Sequence, residues 1–275
     1  MSIPASVAAA LAEARARIPV SEARSLLADV LGRDRVWLES HRDDPIAPEL
    51  ASRFAALVGR RAAGEPVAYL LGRREFYGRD FIVSPAVLIP RPETELLVEW
   101  ALEAAAGLVS PRILDLGTGS GCIAVTLALE RPDAQVTATD VSPEALEIAR
   151  RNAARLGARV EFAHGDWFSA VGSDRFDLVV ANPPYVASED PHLRAGDLRF
   201  EPPNALASGP EGMDAIRLIL AGASAHLARG GWLAIEHGFD QGPACIRAFS
   251  DAGLYGVRQM KDLAGLARMT TGFVK

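Results

Sequence analysis

The spacing of apolar residues changes twice along the chain. From Ser2 to about Arg73 they recur every three or four positions, and the runs Val7–Arg17, Ser21–Leu31, Asp34–Ser40 and Glu49–Arg61 predict short amphipathic helices. Pro19, Pro45, Pro48 and Gly64 punctuate these runs. Within Glu75–Val83 two short apolar-aromatic stretches then flank Gly78-Arg79-Asp80, the pattern of a β-hairpin. Residues 1–73 therefore read as a small helical domain, 74–90 as a hairpin linker and 91–275 as a second domain.

After Pro92 the pattern alternates. Strands are expected at Arg112–Leu116, Gln135–Thr139, Val160–His164, Phe176–Ala181, Trp232–Glu236, Gly256–Lys261 and Ala267–Phe273, with helices at Gly121–Glu130, Pro143–Leu156, Met213–Ala228 and Pro243–Ala252. Such alternation predicts an α/β fold: a mostly parallel sheet with helices on both faces. The last two strands are too close in sequence for a parallel crossover and should pair as an antiparallel hairpin.

Composition narrows the function classes. The chain has 275 residues, with 29 Lys+Arg against 35 Asp+Glu and a net charge of −6, which argues against a general nucleic-acid binder. Its 49% hydrophobic content rules out wholesale disorder. The two cysteines, Cys122 and Cys245, form no CxxC, so neither a disulfide framework nor a cysteine zinc site is expected, nor any other metal. No export signal and no membrane-length apolar run is readable, and the expectation is a soluble protein of the reducing cytoplasm.

Two segments carry candidate chemistry. The first strand of the second domain runs into Asp115-Leu-Gly-Thr-Gly-Ser-Gly121, where Gly117, Gly119 and Gly121 let backbone approach a ligand with no Cβ in the way. A dinucleotide loop of the GxGxxG type would need glycine at Cys122, so the spacing is GxGxG. Asp140 closes the next strand about 20 residues later, where a carboxylate can accept from both ribose hydroxyls, a pairing that suits adenosine without a pyrophosphate. The alternative is a tight turn through Gly117, Thr118, Gly119, Ser120 and Gly121, with Asp140 capping a helix. Trp167, after the third strand, is placed either to lie against adenine or to pack the core.

The second segment is Asn182-Pro183-Pro184-Tyr185, at the end of the fourth strand. Consecutive prolines fix φ and lack N–H groups, so they hold the carbonyls of Asn182 and Pro183 in a stiff extended arrangement. An Asn side-chain oxygen and an adjacent carbonyl can together accept both hydrogens of a planar –NH2 group while the Tyr185 ring covers its face. Such a nitrogen is a poor nucleophile, and aligning it with an activated methyl is where an enzyme contributes. Accepting both N–H bonds also favours the charge that builds on nitrogen, so none of the five histidines is needed as a base.

Several motifs in order make the chain strongly resemble the HemK-type (PrmC) release-factor glutamine methyltransferases of the class I S-adenosylmethionine-dependent family. They are Gly64-Glu-Pro-Val-Ala-Tyr-Leu-Leu-Gly72, Ile89-Pro-Arg-Pro-Glu-Thr-Glu95, the glycine loop, Asp166-Trp-Phe168, Asn182-Pro-Pro-Tyr185, Asp190-Pro-His192 and Arg199-Phe-Glu-Pro202. The resemblance implies a Rossmann-like, seven-stranded methyltransferase domain joined by a hairpin to a helical N-terminal domain that helps hold the substrate. It implies S-adenosyl-L-methionine as methyl donor, with S-adenosyl-L-homocysteine as product. The acceptor it implies is the side-chain amide of the glutamine in the Gly-Gly-Gln (GGQ) motif of class I peptide chain release factors, with no direct nucleic-acid or membrane partner. It assigns cofactor contacts to Gly117 through Gly121, Asp140, Trp167 and Asn182, and glutamine binding to Asn182, Pro183, Pro184 and Tyr185, of which Asn182, Pro183 and Tyr185 are catalytic.

Other readings use the same residues. An adenine-N6 methyltransferase would hold a flipped base by the same tetrapeptide, but would normally add a basic recognition region. A ribosomal-protein glutamine methyltransferase shares the tetrapeptide, and the run Ile89–Glu95 favours the release-factor branch. A binding module without turnover is opposed by the intact Asn182 and glycine loop. Arg91 and Glu93 are open between covering the cofactor pocket, meeting the substrate and starting a helix. His237 reads as a structural histidine, and the long loop 186–212 as a functional segment that moves on docking.

Overall fold

The computed structural model describes residues 6–275, and the chain divides into two compact units, Met1–Arg73 and Arg74–Lys275. The first unit is a helical cluster: α1 (Val7–Ala14), α2 (Val20–Leu31), α3 (Arg35–Ser40), α4 (Pro48–Ala62) and α5 (Val67–Leu71). Leu26, Leu27, Leu38, Phe54 and Val58 form its core. Local chemistry sets the boundaries. The Asp34 carboxylate caps α3 by accepting from Trp37 N at 2.7 Å, and Pro48 occupies the first turn of α4, where its missing N–H is harmless. Helix α5 is too short to show a period in the sequence; it follows Pro66 and ends at left-handed Gly72.

Strands β1 (Arg73–Phe76) and β2 (Arg79–Ile82) form the expected hairpin, but its turn lies earlier than Gly78-Arg79-Asp80. Tyr77 and Gly78 both take positive φ, 51° and 73°, the paired left-handed conformation that matches strand twist in a two-residue turn, so Arg79 and Asp80 already belong to β2. Phe76 and Phe81 are buried in the core of the second unit, Tyr77 N donates to Glu95 Oε1 and Ile82 N to Asn152 Oδ1.

A short turn, Pro92–Thr94, leads into α6 (Glu95–Ala105). Next come β3 (Arg112–Leu116), α7 (Cys122–Glu130), β4 (Gln135–Asp140), α8 (Pro143–Leu156), β5 (Glu161–His164) and β6 (Phe176–Ala181). The chain ends with α9 (Asp214–His226), β7 (Leu227–Glu236), α10 (Gly242–Asp251), β8 (Tyr255–Lys261) and β9 (Ala267–Phe273). The seven-stranded sheet has the order β5-β4-β3-β6-β7-β9-β8 and is parallel except for β9, which is antiparallel to both neighbours. Successive residues of the central strands face opposite ways, as the pleat requires. Ile113, Leu178 and Val180 pack with α6 and α7, whereas Leu114, Leu116 and Val179 pack with α9 and α10.

Strand β7 starts five residues before the expected Trp232. Phe176 pairs with Leu227 and Leu178 with Trp232, so the extra residues form a bulge through Gly230 (φ 76°) and Gly231, where a Cβ would press on Ala228 O at 2.8 Å. Among the described residues no helix is long and apolar enough to cross a membrane.

Candidate active site

The register of the sheet lines up the candidate residues. Thr139, Leu116, Ala181 and Ile235 are successive Cα partners across β4, β3, β6 and β7, so the next row holds Asp140, Gly117, Asn182 and Glu236. Asp140 is also paired with His164, the last residue of β5, and Trp167 follows three residues later. Residues far apart in sequence thus meet at the carboxyl edge of a parallel sheet, the usual place for ligands in open α/β folds. A pocket opens there.

Its floor is the glycine loop. Gly117, Gly119 and Gly121 have φ of 71°, 55° and 81°, a region that side chains rarely enter. Thr118 N donates to Thr139 O, and the Thr118 hydroxyl donates to buried Asp115 at 2.6 Å. Burial pushes the Asp115 carboxyl up to about 7, against the Thr118 hydrogen bond. Gly117, Thr118, Gly119 and Ser120 line the pocket, whereas Gly121 does not: a Cβ there would lie 3.0 Å from that of Ala149, so its place is in the close packing of α7 on α8.

Asp140 also lines the pocket, and its two oxygens accept from Gly119 N at 2.8 Å and Ser142 N at 2.9 Å. Burial nevertheless raises its pKa, ahead of the opposing backbone hydrogen bonds. Each oxygen keeps a further acceptor site for a ligand. Trp167 stands on the pocket wall with φ of 47°, a conformation that costs on the order of 1–3 kcal/mol in a bulky residue and marks functional sites. A Cβ on Gly117 would lie 3.4 Å from its ring, an ordinary contact, so it is the positive φ that calls for glycine there.

Asn182, Pro183 and Pro184 form the opposite wall. Asn182 Nδ2 donates to Thr94 Oγ1 at 3.0 Å, while its Oδ1 is buried with no hydrogen-bond partner. Tyr185 lies outside the lining: its ring packs against the core beneath α9 and α10, and its hydroxyl points to Glu236 Oε1 at 3.4 Å. Burial first, and then the nearby Glu236, raise its pKa. Periodicity and motif reasoning passed over both Thr94 and Glu236 as site residues; the signal available was an acid ending an apolar strand at the ligand edge of the sheet.

The loop 186–212 closes the remaining side. It holds short turns at Pro191–Arg194, Leu198–Phe200 and Pro203–Ala205, and contributes Pro202, Asn204 and Ala205 to the lining. Buried Glu201 fastens it by accepting from Ile89 N at 3.0 Å and pairing with Arg91, which itself lines the pocket. His237 is fully buried, with Nε2 on Thr270 Oγ1 and Nδ1 on Gly238 O, as a structural histidine should be.

Fold and site together define a class I methyltransferase domain. The sheet is shared with a methyltransferase from Pyrococcus furiosus (TM-score 0.53, 22% identity, 81% of this chain and 98% of that one). It is shared too with the T. thermophilus 16S rRNA N2 G1207 methyltransferase in complex with AdoMet and guanosine (TM-score 0.56, 18%, 74% and 50%). These two likenesses concern the fold alone. The methyltransferase small domain family matches residues 92–198, and the PrmC N-terminal domain family residues 5–72. The release factor glutamine methyltransferase of Xylella fastidiosa (strain Temecula1) is 54% identical over 265 residues, 96% of each chain. That of Bordetella pertussis is 52% identical over 94% of this chain and 96% of its own, and that of Escherichia coli 44% identical over 92% of each. The chain belongs to the family of release factor glutamine methyltransferases.

Proposed function

We propose that the chain transfers a methyl group from S-adenosyl-L-methionine to the side-chain amide nitrogen (N5) of the glutamine in the GGQ motif of class I peptide chain release factors. The family supports the reaction class and the substrate protein. The observation that carries the residue-level reading is Asn182 Oδ1, a buried acceptor with no partner, on an amide whose nitrogen is already committed to Thr94. Native interiors rarely leave such an atom unpaired, and a ligand N–H satisfies it.

The residues at the carboxyl edge fit the methyl donor. Gly117 and Gly119 carry no side chain into the pocket, Thr118 and Ser120 line it beside them, and Gly121 closes the turn. Asp140 has acceptor sites free for ribose hydroxyls, Trp167 offers a flat face, and Asn182 borders both ligands. The donor, when bound, supplies an electrophilic methyl group and leaves as S-adenosyl-L-homocysteine.

This chain's own part is to hold the acceptor. Asn182 Oδ1 and the Pro183 carbonyl accept the two N–H bonds of the glutamine amide, with Pro184 stiffening the strand exit and Tyr185 supporting it from behind. Both acceptors stabilise the positive charge that grows on nitrogen as the methyl arrives. The nitrogen then sheds one proton to water, so the residues need only align and polarise. No direct nucleic-acid or membrane partner and no metal belongs to this reading, and its compartment is the cytoplasm.

The test is transfer of labelled methyl to a purified class I release factor, beside the same factor with its GGQ glutamine replaced and a DNA control. Label on the intact factor alone is expected. Label on the replaced factor or on DNA would overturn the assignment.

A further inference from the structure

Among the described residues the pocket lining carries three charged side chains, Asp140, Asp166 and Arg91. Asp140 ends β4 and Asp166 follows β5, so both acids stand at the β4–β5 end of the sheet edge. Arg91 stands at the other end. It lies three residues before Thr94, whose hydroxyl meets Asn182. Burial raises the Tyr185 pKa, and the charge of Arg91 is close enough to work against that rise. Charge therefore changes sign along the pocket, from two acids beside the glycine loop and Trp167 to one cation beside Asn182.

Arg91 is held in place without being used up. The Glu201 side chain is completely buried, accepting from Ile89 N at 3.0 Å through Oε2 and from Arg91 Nη2 through Oε1. Pro202, next in the chain, and then Asn204 and Ala205 line the pocket, so this ion pair also ties the loop to the wall that carries Arg91. A guanidinium has five N–H groups in a rigid fork. One of them serves Glu201, and among the described residues no other group accepts from Arg91. The Arg91 side chain is 31% exposed and lines the pocket, which leaves a fork of the shape that suits a second carboxylate.

S-adenosyl-L-methionine has one anionic group, the carboxylate of its amino-acid moiety, at the end remote from adenine. An adenosine held at Asp140 and Trp167, with the methyl turned to Asn182, leaves that end for the Arg91 side of the pocket. Two carboxylates on one guanidinium leave an excess of negative charge, which the donor's own sulfonium and ammonium groups offset.

We propose that Arg91 holds the α-carboxylate of the methyl donor and so selects ligands that carry this group. The proposal rests on the proposed function for the identity of the donor. Its own ground is the placement of the pocket's one lining cation, fixed by a buried acid at the end away from the adenosine site.

Calorimetric titration of the full chain with S-adenosyl-L-methionine and with its decarboxylated analogue, which keeps the adenosine, the sulfonium and the amine, isolates the carboxylate. The wild type should bind the analogue about 10–100-fold more weakly, the worth of charge-assisted hydrogen bonds. In Arg91→Gln the affinity for S-adenosyl-L-methionine should fall by about that factor, and the ratio of the two affinities should approach one. Removing Arg91 alone leaves Glu201 buried without its cation, a costly change. The double variant Arg91→Gln with Glu201→Gln removes both charges, keeps an acceptor for Ile89 N and should show the same collapsed ratio, with thermal melts to establish that each variant is folded.

Equal affinity of the wild type for the two ligands overturns the proposal. So does a wild-type ratio retained in the variants, which is what a purely structural ion pair gives even where both affinities fall together. A retained ratio with a raised KM for the release factor would move Arg91 to the acceptor side. An unlabelled release factor beside the expected ratios would count against the proposed function and leave Arg91 with the donor.

Discussion

On the β3–β4 side of the pocket, the groups facing the ligand space are backbone amides of the glycine loop and a carboxylate, Asp140, hydrogen-bonded at both oxygens. On the β6–β7 side the polar lining side chain is Asn182, whose Oδ1 is buried without a partner. On the first side the lining carboxylate is satisfied without a ligand, and the acceptors left open there, Asp115 Oδ1 and Thr139 Oγ1, lie outside the pocket lining. The second carries an acceptor whose desolvation costs about 1–3 kcal/mol until a donor arrives. That asymmetry separates two tasks: a cradle that binds through a satisfied framework, and a clamp whose open valences act on the reacting nitrogen. Damage to the first should appear in affinity, and damage to the second in turnover.

The largest expected effect is on the clamp. Asn182→Ala should lower kcat by about 10²–10³-fold, the usual loss when one preorganised polar group at a reacting centre is removed. Calorimetric titration should find cofactor affinity changed far less than turnover. If affinity falls as steeply, the two sides are one site and the division fails.

Next in size is a linkage effect that compares the two sides directly. Glu236 and Asp115 are both pushed up to about 7 by burial, from ordinary values of 4.5 and 3.8. Their folded-state pKa lies above the unfolded one, so the stability they contribute is fully present below the unfolded pKa and is lost as pH rises towards 7. Glu236→Gln does not titrate, so its stability relative to wild type should climb by up to about 3 kcal/mol between pH 4.5 and pH 7. Thermal melts of both proteins across that range measure it. A constant gap would mean that burial leaves the Glu236 pKa at its unfolded value.

On the cradle side, Asp140→Ala should weaken S-adenosyl-L-methionine binding by about 1.5–3 kcal/mol, the worth of hydrogen bonds to a charged acceptor. At saturating cofactor the rate should recover. A kcat that stays low at saturation would place Asp140 in the chemistry and blur the comparison.

The cradle was also the more legible side. Its glycines, the strand before them and Asp140 sit within 29 consecutive positions, Arg112 to Asp140, so local spacing displays them. The sheet was legible for a related reason: β3 and β6, buried on both faces, read as continuous apolar runs with the observed bounds. The clamp was legible only in Asn182 to Tyr185. Thr94 lies 88 residues from Asn182 and Glu236 51 from Tyr185; the packing of α6 on the sheet brings the first pair together, and the register of β6 against β7 the second. The β7 bulge was hidden for the same reason, since pairing across strands leaves no period in one strand. Trp167 was visible as a residue but not in its left-handed backbone, which tertiary packing imposes.

The smallest effect tests whether the two sides are as separate as they look. Tyr185→Phe keeps the ring in the core beneath α9 and α10 and removes only the hydroxyl that reaches Glu236 at 3.4 Å. The direct loss is one long hydrogen bond, about 0.5–1.5 kcal/mol. That hydroxyl also favours ionised Glu236, so without it the carboxyl holds its proton to higher pH. The pH at which thermal melts register the Glu236 titration should therefore move higher in Tyr185→Phe than in the wild type. Cofactor affinity should stay the same at every pH, because nothing on the β3–β4 side touches that hydroxyl. A drop in kcat at all pH values would show that Tyr185 acts on the substrate directly, and would return the tyrosine hydroxyl to the lining of the clamp.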